Sequence, residues 1–302
     1  MTGALEWERD GKDWPGRDQS RFVHAGGVTW RVEVGGTGPV MLMLHGTGAS
    51  SHSWHGMRTE LEPYFTVVAP DLPGHAFSRA NDSAAFSLPG MARAVGALIE
   101  VLGLSPDVIV GHSAGAAVAM RMAIDGAATP RAIVSVNGAL FPYGGAAAQF
   151  FSPLARLLVV NPIVPHVFAW RAGDRSAVER LIRGTGSEIP AESIERYARL
   201  FQSPGHVAAT LSMMARWDLV SLQTDLPRLA VPLHLIVGGA DTAVSPEEAF
   251  QIRDRLVRDR LGSASIDMIR GLGHLAHEEE PVEIAKRIRG YLQTAGVRTA
   301  AV

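Results

Sequence analysis

The pentapeptide Gly111-His112-Ser113-Ala114-Gly115 is the stretch of this sequence whose residues point most clearly to chemistry. It follows the apolar run 108–110 and leads into the small-residue stretch 116–120, a pattern that predicts a strand turning sharply into a helix. Such a turn holds its serine in a strained backbone conformation and lifts the hydroxyl clear of the sheet edge. The glycines at both ends are expected where strand and helix pass too close for a Cβ atom. Ser113 is therefore the predicted nucleophile.

A serine hydroxyl is a weak nucleophile until a base takes its proton, so a histidine and an orienting acid are expected elsewhere in the chain. Asp241 follows the buried-strand pattern 233–237, and His274 ends a Gly-Leu-Gly-His loop after the last predicted strand. Asp241 would fix the imidazole tautomer, and His274 Nε2 would take the proton of Ser113. His277 is the rival base. We favour His274 because the two glycines before it leave the loop free to aim the ring.

The negative charge that develops on a substrate oxygen during such an attack needs hydrogen-bond donors. The motif His45-Gly46-Thr47-Gly48 follows the apolar strand pattern 40–44 and offers the backbone N–H of Thr47. The residue after the nucleophile, Ala114, offers a second N–H. We expect His45 to support this loop rather than to react. The residues expected around the substrate are His45, Gly46, His112, Asn137, Phe141, Phe168 and Trp170.

Strand and helix patterns alternate along the chain, which predicts a parallel sheet with right-handed crossovers. Strands are predicted at 29–34, 40–44, 66–69, 108–110, 132–136, 233–237 and 265–269, with residues 35–38 as a hairpin turn. Residues 138–226 lack strand patterns and are predicted to form a helical lid, with the Gly- and Ala-rich stretch 144–148 as its joint. The predicted domains are an N-terminal extension (1–25), a core (26–137 and 227–297) and the lid (138–226).

Composition excludes several classes of function. The formal net charge is −2, so no basic excess exists to neutralise nucleic-acid phosphates, and nucleic acid is not an expected partner. The absence of cysteine excludes disulfides and thiolate chemistry. The histidine pairs 52/55 and 274/277 lack further ligands at a suitable spacing, so neither a metal nor another cofactor is expected. No apolar leader or membrane-spanning run is found, which predicts a cytoplasmic protein.

Four motifs, in order, resemble those of the α/β-hydrolase superfamily. They are residues 45–48, Asp71-Leu72-Pro73-Gly74-His75-Ala76-Phe77-Ser78, the pentapeptide around Ser113, and the Asp241/His274 pair. The resemblance covers about residues 26–292. It implies a mostly parallel sheet of the eight-stranded type flanked by helices, an inserted helical lid, and a Ser-Asp-His triad with an oxyanion hole. One departure is Ala76, which stands where the family has glycine and leaves the catalytic roles untouched.

A narrower resemblance involves residues 13–17 (Asp-Trp-Pro-Gly-Arg), 20–23, the elbow residues His112 and Ala114, and 137–139. These are similar to the magnesium-chelatase accessory proteins called BchO, which accompany bacteriochlorophyll synthesis in photosynthetic bacteria. The resemblance implies a small-molecule substrate such as a porphyrin intermediate, and magnesium-chelatase subunits as partners. Lid arginines between 156 and 183 would hold substrate carboxylates or permit weak docking on an anionic membrane surface, giving a peripheral location at the inner membrane.

The preferred interpretation is that Ser113 attacks an ester-like carbonyl and forms an acyl-enzyme that water resolves. A first alternative is a non-catalytic, chaperone-like protein that binds a tetrapyrrole and no longer uses the triad. A second is an unrelated small-molecule esterase, a carbon–carbon-bond hydrolase or a cofactor-free haloperoxidase-type enzyme. Haloalkane dehalogenases and epoxide hydrolases are disfavoured, because they use an aspartate nucleophile where this chain has Ser113.

Overall fold

The computed structural model describes residues 3–142, 161, 163–258, 263–297 and 300. Its strands are β1 Ser20–Ala25, β2 Val28–Gly35, β3 Val40–Leu44, β4 Thr66–Pro70, β5 Arg79–Ala80, β6 Val108–His112, β7 Ala132–Val136, β8 Leu233–Gly238 and β9 Ala264–Ile269. They form one sheet in the order β1-β2-β4-β3-β6-β7-β8-β9, with the short β5 beside β2. The predicted fold class is confirmed, and β1 and β5 are added to the seven strands that the sequence patterns predicted.

The centre of the sheet is parallel and buried. Strands β4, β3, β6, β7, β8 and β9 pair in parallel in that order. Every residue of β6, β7 and β8 is buried, as their continuous apolar runs predict for strands covered on both faces. Because parallel strands end at one edge of a sheet, the residues that follow β6, β7 and β8 meet there, and these are Ser113, Asn137 and a loop that leads to Asp241.

Helices cover both faces of the sheet. They are α1 Trp7–Asp10, α2 His55–Leu61, α3 Leu88–Val101, α4 Ala114–Asp125, α5 Val164–Arg171, α6 Arg175–Arg183, α7 Ala191–Phe201, α8 Pro204–Ala215, α9 Leu219–Asp225, α10 Pro246–Arg258, α11 Ala276–Glu279 and α12 Pro281–Thr294. Apolar side chains of α3, α4 and α10 pack on one face, and those of α2 and α12 pack on the other. The helix α3 begins where the Ser87 hydroxyl accepts a hydrogen bond from the Gly90 N–H.

The antiparallel hairpin β1–β2 corrects two predictions about the start of the chain. Strand β1 lies within the stretch 1–25 that was expected to precede the core, and it pairs along its whole length with β2. Three of its six residues are exposed and only one is buried, so the search for apolar runs did not detect this strand. The tight turn uses Gly26 and Gly27, whose φ angles of 57° and 76° suit glycine. Residues 35–38 do not form a hairpin, because β4 lies between β2 and β3.

Helices α5 to α9 lie between β7 and β8, and we call them the helical insertion (Val164–Asp225). They occupy the stretch predicted to be a lid, whereas the predicted joint at 144–148 lies outside the described residues. Within the described part of the chain, no helix has the length and apolar character needed to cross a bilayer.

A buried ionic network explains the aspartate that opens the 71–78 motif. Arg31 of β2 pairs with Glu33 at 2.7 Å and with Asp71 at 3.5 Å, and all three side chains are buried. The Ser51 hydroxyl lies 2.8 Å from an oxygen of each carboxylate. Buried charges require this degree of pairing, because a single unpaired charge in the interior is strongly destabilising. The same motif contains Ala76, which takes a φ of 44° in the turn where glycine was expected.

Candidate active site

The elbow around Ser113 has the strained geometry that the pentapeptide predicts. Ser113 has a φ of 51° and a ψ of −118°, between the end of β6 and the first residue of α4. A Cβ atom on Gly115 would come within 2.1 Å of the Leu44 carbonyl oxygen, and one on Gly111 within 2.4 Å of the Ala116 nitrogen. The glycines are therefore needed for close backbone approach, and this prediction is confirmed.

Asp241 and His274 meet although 33 positions separate them in the chain. His274 Nδ1 lies 2.8 Å from Asp241 Oδ2. Because an ionised carboxylate only accepts hydrogen bonds, this contact places the proton on Nδ1 and leaves Nε2 with a free lone pair. The other carboxylate oxygen, Oδ1, accepts the backbone N–H groups of Ala243 and Val244 at 2.8 and 2.9 Å. The acid is thus fixed in the orientation that a base-orienting residue needs.

The surroundings of Asp241 keep its carboxyl ionised. Burial acts to raise the pKa of Asp241. The hydrogen bond and charge of His274, the Val244 N–H and the Asn137 amide act in the opposite direction and outweigh burial, so its pKa lies below the usual value. The negative charge is therefore available to stabilise a protonated imidazole.

Asn137 lies behind the acid, and its role differs from the one expected. It was predicted to line the substrate pocket, but it is buried at the end of β7 with a φ of 47°. Its Nδ2 donates to Asp241 Oδ2 at 2.7 Å and to the Gly273 carbonyl at 2.9 Å, while its Oδ1 accepts the Gly238 N–H at 3.1 Å. One amide therefore ties the acid loop to the histidine loop. The sequence signal that could have indicated this role is an asparagine directly after β7, the strand that lies next to β8.

Replacing Asn137 with alanine should lower kcat for an activated ester by about 10–100-fold, because small displacements of catalytic groups cost that much. KM should change little, since the amide faces the acid and not the substrate. Steady-state kinetics of the Asn137→Ala variant check this, with exposed Asn81→Ala as the control. A raised KM at unchanged kcat would instead assign Asn137 to the substrate pocket.

The loop that should supply the first oxyanion donor packs directly on the elbow. A Cβ atom on Gly46 would lie 3.0 Å from Ser113 Cβ and 2.7 Å from His112 Nδ1, so only glycine allows this approach. Thr47 follows in the same loop, and its hydroxyl lies 3.9 Å from Met213 Sδ of α8. Ala114 begins α4, where the first N–H groups have no partner inside the helix and can serve an anion.

His45 braces this loop and does not line the pocket, contrary to its place among the substrate residues. Its ring is fully buried. Nε2 accepts the Leu72 N–H at 2.8 Å, so Nδ1 carries the proton and donates to the Gly46 carbonyl at 2.8 Å. Burial, with the neighbouring histidines, holds the pKa of His45 well below its usual value. A neutral imidazole thus connects the 45–48 loop to the 71–78 motif.

The ring of His112 packs in tilted contact against the rings of both His274 and His277. His112 Nε2 donates to the His274 carbonyl oxygen at 2.9 Å, and burial lowers the pKa of His112 to about 3. The His277 ring is fully buried, with its centroid 4.3 Å from that of His112 and 4.5 Å from that of Trp54. Of the two candidate bases, His274 contacts Asp241, whereas no described hydrogen bond joins Asp241 to His277. Within the described ranges, no three His or acidic side chains are grouped to bind a metal.

The connection between α6 and α7 lies directly on the loops of Asp241 and His274, which the sequence did not predict. The Thr185 carbonyl accepts the N–H groups of His274 and Thr242 at 3.2 and 3.3 Å. The Ser187 hydroxyl accepts the Leu275 N–H at 2.8 Å. The helical insertion therefore holds the backbone of the histidine itself, and does not only cover it.

A buried hydroxyl–carboxyl pair adds a second tie between the insertion and α11. The Tyr197 hydroxyl of α7 donates to Glu278 Oε1 at 2.7 Å. Burial raises the pKa of Glu278 to about 7, although the Tyr197 and Ser193 hydrogen bonds and the nearby Arg196 act to lower it, while Glu279 acts to raise it. This buried carboxyl therefore changes its charge near neutral pH.

This raised pKa makes stability depend on pH in a defined direction. The folded state keeps a proton on Glu278 that the unfolded chain, with the ordinary value of 4.5, releases earlier. The contribution of this group to the free energy of unfolding should therefore be fully present below pH 4.5. It should be lost as pH rises toward 7, by about 3 kcal/mol. The Glu278→Gln variant should lose less stability between pH 5 and 8 than the parent, as measured by urea unfolding. Equal pH slopes for both proteins would contradict the assignment.

The aromatic residues predicted for the pocket do not meet at the site. Phe141 is half-buried against the core of the sheet domain. Trp170 of α5 is 80% exposed, so the prediction that it lines the pocket is wrong, and Phe168 of the same helix is 49% exposed. The arginines at 171, 175, 180 and 183 are exposed and pair with acids of the insertion, so these four do not point into the site.

Comparisons with known proteins agree with this fold. A sequence profile of the alpha/beta hydrolase family matches residues 41–287. The chain is 38% identical over 268 residues to the magnesium-chelatase 30 kDa subunit of Rhodobacter capsulatus, covering 88% of this chain and 92% of that one. Potato epoxide hydrolase I superposes with a TM-score of 0.73 at 20% identity, covering 91% of this chain and 99% of the other. A thermophilic esterase from Thermogutta terrifontis superposes with a TM-score of 0.70 at 24% identity, covering 92% and 99%.

Proposed function

Because this chain belongs to the alpha/beta hydrolase family, we propose that it is a serine hydrolase that cleaves a carboxylic ester through an acyl-enzyme. The observation that carries the proposal is the 2.8 Å contact between His274 Nδ1 and Asp241 Oδ2, made at the sheet edge where the strained Ser113 also lies. A strained serine and a histidine–carboxylate pair at one edge are the parts that acyl transfer requires.

In the first half of the reaction, Ser113 Oγ attacks the ester carbonyl carbon while His274 Nε2 takes the hydroxyl proton. The C=O π electrons move onto the oxygen, which the N–H groups of Thr47 and Ala114 stabilise. When the tetrahedral species collapses, the C–O bond to the alcohol breaks, and His274 returns its proton to the leaving oxygen. The alcohol departs and an ester of Ser113 remains.

In the second half, water attacks the acyl-enzyme while His274 Nε2 accepts a proton from it. The tetrahedral species again places its charge at Thr47 and Ala114, and its collapse breaks the bond to Ser113 Oγ, which regains the proton. The products are a carboxylic acid and free enzyme. Throughout, Asp241 stays ionised and stabilises the imidazolium, which the lowered pKa of its carboxyl supports.

For the substrate, we propose a tetrapyrrole ester or a related porphyrin intermediate, with magnesium-chelatase subunits as partners in the cytoplasm. The support is the 38% identity to a protein named as a magnesium-chelatase subunit. The same likeness favours a second candidate, an accessory protein that binds a tetrapyrrole without converting it. The two differ in whether chemistry at Ser113 is needed for the role.

Two measurements on the same protein separate these candidates. Release of methanol from a porphyrin methyl ester reports hydrolysis, and quenching of porphyrin fluorescence reports binding. Hydrolysis that is lost in Ser113→Ala while binding remains supports the hydrolase. Binding without hydrolysis in either protein supports the accessory role. Absence of both with every porphyrin, together with hydrolysis of simple activated esters, would reject the tetrapyrrole and keep the serine chemistry.

A further inference from the structure

In helix α5 of the insertion, the larger apolar side chains face solvent and the smaller ones are buried, which is the reverse of the usual arrangement. Pro165 and Ala169 are buried on the face that packs against α8. Ile163, which precedes the helix, Val167 and Trp170 follow one another at the spacing of a single helix face, and they are 64%, 56% and 80% exposed. A helix that only packs on the protein core would be expected to turn its larger apolar side chains inward.

The exposed apolar residues of the described chain concentrate at this place. Among the eleven large apolar side chains with high exposure in the described ranges, five lie within residues 163–181. They are Ile163, Val167, Phe168, Trp170 and Leu181. We call Ile163, Val167 and Trp170, the three that share one helix face, the α5 face. A contiguous exposed apolar patch on a water-facing surface marks a site of interaction with something apolar.

The charge next to the α5 face identifies the kind of partner. Residues 163–184 contain Arg171, Arg175, Arg180 and Arg183 against Asp174 and Glu179, a net charge of +2. All four arginine side chains are more than half exposed. Exposed Trp and aliphatic residues bordered by arginines are the composition of helices that lie in a lipid–water interface, where arginines meet anionic headgroups.

The composition of the α5 face, and not its size, favours a bilayer over a second protein chain. Its large side chains expose on the order of 500 Å² of apolar surface, comparable to the apolar part of a standard protein interface, but the neighbouring residues carry four arginines against two acids. A bilayer needs no complementary shape, and a patch of this size is sufficient for reversible binding.

From these observations we propose that the α5 face docks the protein on the surface of an anionic lipid bilayer. Ile163, Val167 and Trp170 insert among the upper acyl chains, and the neighbouring arginines contact the headgroups. The proposal does not depend on chemistry at Ser113. It places the insertion, which also holds the backbone of His274, at the boundary between lipid and water.

Cosedimentation of the full chain with vesicles tests the proposal. The protein should pellet with vesicles of phosphatidylcholine mixed with phosphatidylglycerol, much less with phosphatidylcholine alone, and less as salt is added. Trp170→Ser should lower partitioning at least about tenfold, and Val167→Ser several-fold. Val282→Ser is the matched control, because Val282 is 58% exposed on α12, outside the helical insertion, and it should bind as the parent does.

Three results would overturn the proposal. They are no binding of the parent to anionic vesicles, unchanged binding of Trp170→Ser, and a dimer in sedimentation velocity that Trp170→Ser abolishes. The last result would assign the α5 face to a second copy of the chain. Circular dichroism and the midpoint of urea unfolding verify that each variant is folded, and vesicle binding by Ser113→Ala equal to that of the parent separates docking from the proposed function.

Discussion

Replacing Ser113 with alanine should reduce hydrolysis of an activated ester by at least about 10³-fold, to the level that binding and the oxyanion donors give alone. The reason is that no other described hydroxyl occupies the strained turn with a φ of 51° between β6 and α4. The loss should appear in kcat, with KM nearly unchanged. Stopped assays with a nitrophenyl ester measure both constants.

Ser135→Ala provides the matched control for this substitution. Ser135 is also buried, on the neighbouring strand β7, and it takes no part in the proposed reaction. Its variant should retain activity near that of the parent. If Ser113→Ala kept more than a small fraction of the parent turnover, nucleophilic attack by Ser113 would have to be abandoned, whatever the substrate.

Changing Asp241 to asparagine should lower kcat by about 10³–10⁴-fold while leaving the fold intact. The variant amide can donate to His274 Nδ1, which would then carry a lone pair, so the proton would move to Nε2 and the base would lose its acceptor site. The amide would also face the Nδ2 group of Asn137, which now donates to the carboxylate at 2.7 Å. Both effects act on the orientation of the base and not on substrate binding.

Circular dichroism and the midpoint of urea unfolding should show that Asp241→Asn is folded. Asp267→Asn is a suitable control, since this carboxylate of β9 pairs with Arg287 of α12 at 2.6 Å, and no hydrogen bond or ion pair among the described residues joins it to His274. Its kcat should stay within a few-fold of the parent value. An Asp241→Asn variant with near-normal turnover would mean that His274 does not need an ionised partner.

The parts of this protein that sequence predicts well are those with local signals. Strands β3 and β7 have the predicted bounds because continuous apolar runs mark strands buried on both faces. The elbow is recognisable because Gly111 and Gly115 sit where a Cβ atom would collide with backbone. The order of serine, acid and histidine then selects Asp241 and His274 as residues at strand ends.

The parts that sequence did not predict depend on which strands and loops become neighbours. Asn137 touches Asp241 only because β7 and β8 are adjacent in the sheet. The contacts of Thr185 and Ser187 with the histidine loop link segments about ninety positions apart, and they leave no pattern in either segment. Periodicity gives the apolar character of α5 but not its orientation, so Trp170 was assigned to the pocket although it faces outward.

Covalent labelling of the intact protein with a fluorophosphonate tests the central claim most directly. The reagent reacts with an activated serine by Oγ attack on phosphorus and loss of fluoride, and it needs no knowledge of the natural substrate. We expect one adduct, located by peptide mass spectrometry on Ser113 and strongly slowed in Asp241→Asn. A protein that remains unlabelled, or that is labelled on another residue with Ser113 free, would contradict the account.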